Sequence, residues 1–105
     1  MTETVPVIER LPDGRVRVAG GLGFEQAAQA LARGEMLYEG GRGEVEVDLA
    51  GLRDVDSATL AVLLAWAARA ARTGVALRFT GAPASLLALA RLCDAAPLLG
   101  IEGRS

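Results

Sequence analysis

Hydrophobic spacing changes several times along this chain, and each change marks an element. Val5 to Arg10 reads as a short strand, and Pro6 inside it removes a ladder donor, which places it at a sheet edge. The L-P-D-G that follows is a turn: Pro12 presets its first angle and Gly14 accepts a positive φ, giving a hairpin into the alternating segment Arg15, Val16, Arg17, Val18. After A-G-G-L-G the period lengthens. Phe24, Ala27, Ala28 and Leu31 share a helical face, and Gly34 is the expected stop. Period two returns at Glu44 to Leu49, with Val45, Val47 and Leu49 on one side and Glu44, Glu46 and Asp48 on the other.

The longest helix opens at V-D-S-A-T-L, Val55 to Leu60, and runs to about Thr73, with Gly74 ending it. Val75, Leu77 and Phe79 then alternate with Ala76, Arg78 and Thr80 as a further strand. Pro83 begins a last main helix with Leu86, Leu89, Ala90 and Cys93 on one face. Strand, strand, helix, strand, helix, strand, helix predicts an α/β fold: a mixed, mostly parallel four-stranded sheet with an N-terminal edge hairpin. Because the strands alternate rather than run continuously apolar, one sheet face should meet water. Right-handed crossovers between neighbouring strands put the helices on the other.

At 105 residues and 51% apolar content, the chain has the size of one domain, spanning residues 1–105. Thirteen acidic residues against eleven arginines give a charge of −2, and the arginines are scattered, so no basic stripe is present to follow a nucleic acid backbone. The chain has neither histidine nor lysine. The usual neutral-pH proton shuttle, Schiff-base chemistry and a Walker-type phosphate loop are thereby excluded, leaving carboxylates as the only remaining acid–base groups of that kind. M-T-E-T-V-P is not a secretion signal, no apolar run is long enough for a bilayer, and Cys93 stands alone, so the expected location is the cytosol, with no direct membrane insertion.

Candidate chemistry concentrates at the start of the long helix. Asp56 is the expected N-cap and Ser57 the first helical residue, with Asp54 and Thr59 close by. Capping alone accounts for an Asp-Ser pair in this position. A phosphate on Ser57 would be favoured by the helix dipole and opposed by Asp54 and Asp56, the elements of a release switch. On a helical wheel Leu60, Leu63, Leu64, Ala67 and Ala71 form the expected core face, which leaves Thr59, Val62, Trp66 and Arg69 on the opposite one. Trp beside Val and Arg has the composition of an interface hot spot; in the competing reading Trp66 folds against another helix and completes the core. Elsewhere, G-G-L-G lacks the spacing and lysine of a phosphate loop and reads as a tight turn with close packing. Cys93 reads as an inert core thiol, and Glu44, Glu46 and Asp48 as a solvated strand face without a metal.

Three stretches together resemble the STAS domain: G-G-L-G-F, then V-D-L-A-G-L-R-D-V-D-S-A-T-L-A-V-L-L-A-W, then L-R-F-T-G-A-P-A-S-L-L-A-L-A-R-L. The tryptophan after L-L-A and the closing phrase are more similar to the MlaB-type branch than to anti-anti-sigma factors. Thr59 departs from both, standing where their patterns carry glycine. The resemblance implies a non-catalytic subunit without cofactors. Its partner is expected to be the MlaF-like ATPase of an ABC transporter with its permease complex, with Asp54, Asp56, Ser57, Thr59, Val62, Trp66 and Arg69 as the partner-binding surface. In the other branch the residue matching Ser57 is phosphorylated, and the partners are an anti-sigma factor and a serine kinase.

Overall fold

A computed structural model describes residues 7–38 and 43–99. Its first two strands, β1 (Val7–Arg10) and β2 (Val16–Gly20), form the expected antiparallel hairpin. Gly14 takes φ +94°, and the turn closes through Leu11 N–H to the Arg15 carbonyl at 2.7 Å. The Asp13 carboxylate accepts from both the backbone N–H and the Nε–H of Arg15 at 3.0 Å each, and the backbone hydrogen bond is the main reason its pKa lies below the usual carboxylate value. Pro6, the expected edge marker, lies outside the described residues.

Two more strands, β3 (Gly43–Leu52) and β4 (Val75–Thr80), complete a sheet of order β1-β2-β3-β4, in which the last two pairings are parallel. Strand alternation sorts the faces as expected. Ile8, Val16, Val18, Val45, Val47, Leu49, Val75 and Phe79 are buried, while Glu9, Arg17, Asp48 and Thr80 lie in register across the other face. Acidic Glu44 and Glu46 belong to that solvated face, near Arg78 at 4.0 Å and Arg15 at 3.9 Å respectively. Past Asp48 the β2–β3 register shifts, and the Asp48 carboxylate accepts the Ala50 N–H at 2.9 Å across the irregularity. The strand then continues to Leu52, three residues beyond its expected end.

The helices are α1 (Ala27–Arg33), α2 (Ser57–Arg72), α3 (Ala84–Leu92) and a single turn, α4 (Ala96–Leu99). One expectation for α1 is corrected. Phe24 and Ala28 are exposed, because the helix begins only at Ala27 and turns Ala30 inward. Gly34 does end the α-helix as expected, as its C-cap, but at φ −66° and not in the left-handed region: the chain runs on into a 3-10 turn, Gly34–Leu37, and Gly34 is itself buried. Within the hairpin's reach, Arg10 Nη2 donates to the carbonyl of Met36 in that turn.

In α2 the burial arc is rotated from its expected position. Thr59, Leu60, Val62, Leu63, Trp66 and Ala70 are buried, Leu64 and Ala67 are half-buried, and Ala71 is exposed. A helix covered on one side buries a narrow stripe. This one packs on β4 and also against α1, the 3-10 turn, α3 and α4, so its buried arc is wide and is centred on Val62, Leu63 and Trp66. The expected exposed tryptophan face is therefore corrected: Trp66 is 0% exposed, its Nε1–H donates to the Ala30 carbonyl at 3.1 Å, and Val62 sits beside it in the core. Gly74, at φ +85°, follows the end of the helix as expected.

The end of α3 is corrected as well. Leu86 and Ala90 are buried, but Cys93 is exposed. Asp94 at φ +57° donates its N–H to the Arg91 carbonyl, and Ala95 donates to Ala90 at 2.7 Å, the paired bonds of a Schellman turn. That turn swings the chain back, so Ala95, Ala96 and Leu99 enter the core while Leu92 and Cys93 stay outside. Among the described residues no helix is long and apolar enough to cross a membrane.

Candidate functional site

Parallel β2 and β3 end side by side, so the loops that follow them meet at one edge of the sheet. The Arg53 N–H donates to the Gly20 carbonyl at 2.9 Å and ties the two loops together. Gly20 turns at φ +84° and Asp54 at φ +50°, a left-handed conformation that Asp tolerates better than most side chains. Between these turns Leu22 is fully buried and anchors the first loop. Gly23 is buried against Asp56: a Cβ there would stand 3.1 Å from Asp56 Oδ2. The tight turn with close packing expected of G-G-L-G is present, and its glycine content answers to a neighbouring carboxylate.

Asp56 is the N-cap of α2 and, with Thr59, forms a reciprocal capping box. Asp56 Oδ1 accepts the Thr59 N–H at 3.0 Å, and Thr59 Oγ1 accepts the Asp56 N–H at 3.2 Å while donating its own proton to Oδ1. Two otherwise unsatisfied amides of the first turn are met in this way. Thr59 is 0% exposed, so its hydroxyl belongs to the helix start and is closed to a partner, contrary to the expected docking role. Ser57, first residue of the helix, is exposed.

Of the seven expected surface residues, Asp54, Asp56 and Ser57 come together at this corner. Thr59, Val62 and Trp66 are inside the protein. Arg69 is exposed, but twelve residues farther along α2, about 18 Å from Ser57 at 1.5 Å per residue. What the periodicity missed is Phe24, 83% exposed, on the rim of a hollow that Asp54 and Asp56 also line. The signal was the buried Leu22 position: once the loop is anchored there, and with the helix not begun until Ala27, a residue two further on has no inward direction to take.

Asp48, the other acid that could join Asp54 and Asp56 in carboxylate chemistry, lies outside this hollow and is engaged with Ala50 N–H beside Gly81. Among the described residues no group of three or more metal-binding side chains converges. The corner thus presents an aromatic ring, a hydroxyl and carboxylates on two tied loops, an arrangement suited to contact with another protein.

A four-stranded mixed sheet with this loop corner at the parallel-strand ends defines a STAS-type α/β domain. A family model described as Mlab, STAS domain, matches residues 9–100, and the chain belongs to that family, whose members are generally non-catalytic. Among curated proteins none matches the chain.

Proposed function

We propose that this chain is the non-catalytic subunit of an Mla-type ABC transporter, docking through the Phe24–Ser57 corner on an MlaF-like ATPase. It supports that ATPase, with its permease complex, in the phospholipid trafficking that maintains outer-membrane lipid asymmetry. Its place is the cytoplasmic face of the inner membrane, held there by the ATPase.

The observation that carries this reading is the exposure of Phe24 on the hollow lined by Asp54 and Asp56, the residues that lead into the exposed Ser57, in a chain that belongs to the MlaB-type family. A phenyl ring open to water loses hydration cost on docking and, ringed by polar groups, has the anatomy of a binding hot spot. Exposure of Ser57 favours a second reading, an anti-anti-sigma factor whose phosphorylation at Ser57 controls binding to an anti-sigma factor and its serine kinase. Phosphate there would face Asp54 and Asp56 across the corner and act as a release signal.

Affinity purification of the tagged chain from gently solubilised native cells, followed by mass spectrometry, separates the two. The transporter reading expects an ABC ATPase and its permease, both lost from a folded Phe24→Ala, Ser57→Asp double variant. Recovery of an anti-sigma factor or a serine kinase, without transporter subunits, contradicts it.

A further inference from the structure

The hollow at the corner has a chemistry of its own. Gly21 and Gly23 line it together with Glu25, Asp54 and Asp56, and Phe24 stands on its rim. No basic residue is among its described lining residues. Asp56 Oδ1 is occupied by Thr59 and Oδ2, which lies against Gly23, accepts no hydrogen bond among the described residues, while the exposed Asp54 and Glu25 carboxylates make no side-chain hydrogen bond or ion pair among them. Eleven arginines are present in the chain, and no ion pair among the described residues joins one to Glu25, Asp54 or Asp56.

The geometry points to an arginine side chain of the protein partner as the occupant of this hollow, its guanidinium stacked on Phe24 and bonded to Asp54 and Asp56. This rests on the docking role proposed for the same corner and adds the chemistry of the surface that meets it. Charge complementarity requires a cation. A metal ion needs ligands that converge on one point, and no such convergence exists among the described residues. A guanidinium carries five donors on a planar fork, so it can bond carboxylates that do not converge. Its weakly hydrated face also stacks on an aromatic ring, which the compact, strongly hydrated lysine ammonium does less well.

The test needs no transporter component, so it stands or fails separately from the docking partner's identity. The isotopically labelled full chain is titrated with N-acetyl-arginine methylamide, with the corresponding lysine compound and with magnesium chloride, at constant ionic strength, and backbone amide shifts are followed by NMR. The arginine compound is expected to move the Gly21, Gly23, Phe24 and Asp54 amides saturably, binding about threefold or more tightly than the lysine compound. Phe24→Ala and Asp54→Asn, neither of which removes a core group, are each expected to weaken that binding about threefold while the remaining spectrum is unchanged. Shifts that do not saturate, an equal response to lysine or magnesium, or full binding by Phe24→Ala would overturn the assignment.

Discussion

Gly34 lies directly beneath the indole of Trp66: a Cβ at Gly34 would overlap Nε1, Cδ1 and Cε2 of the ring, and that same Nε1–H is bonded to the Ala30 carbonyl. The α1 end, the 3-10 turn and α2 are locked at this contact. Helix propensity favours Ala over Gly by about 1 kcal/mol, so an unpacked Gly34 would be stabilised by Gly34→Ala. Overpacking is expected to win instead, with a net loss of about 2 kcal/mol or more in urea unfolding. Trp66→Ala should cost about 3–5 kcal/mol as a core truncation, and its loss should register as lost folding and not as a selective binding defect.

The α2 face shows where periodicity stops being informative. A wheel ranks directions by apolar content, and Leu60, Leu64, Ala67 and Ala71 outweighed the arc holding Trp66; it carries no information on how many neighbours cover the helix. Strand alternation was fully legible at Val45, Val47 and Leu49 because a single-sided sheet imposes a two-residue period. The Asp56 cap was legible because capping is a local effect. Phe24 and Cys93 were misplaced for a different local reason: one precedes the helix that its spacing suggested, and the other is the last residue before a left-handed Asp94 that no glycine announced.

Thr59 tests the helix start. Thr59→Val keeps the shape but leaves the Asp56 N–H without its acceptor in a part-buried place. A loss of about 1–3 kcal/mol is expected in thermal or urea unfolding. A change within about 0.5 kcal/mol would mean that the hydroxyl adds nothing beyond packing.

Asp94 offers a stabilising substitution. Its backbone is in the left-handed region at φ +57° while its N–H closes the Schellman turn. Asp94→Gly relieves the Cβ cost at the expense of chain entropy, and a gain of about 0.5–1 kcal/mol is expected, read as a Tm higher by a few degrees. A lower Tm would show that the Asp94 side chain contributes something the glycine cannot.

Phe24 should be nearly silent in stability. Because it is exposed on the rim of the corner, Phe24→Ala should change unfolding free energy by no more than about 0.5 kcal/mol, measured by urea denaturation. A larger loss would mean the ring packs on the protein in solution.

The most direct test of the docking corner compares two exposed residues in one binding measurement. Calorimetry of the purified chain with the copurified ABC ATPase would be repeated with Phe24→Ala and with Arg69→Ala, which lies about 18 Å along α2 from Ser57. The corner predicts a loss of about 2 kcal/mol or more for Phe24→Ala and less than about 0.5 kcal/mol for Arg69→Ala. Unchanged affinity for Phe24→Ala together with a large loss for Arg69→Ala would move the interface down the helix and contradict the account.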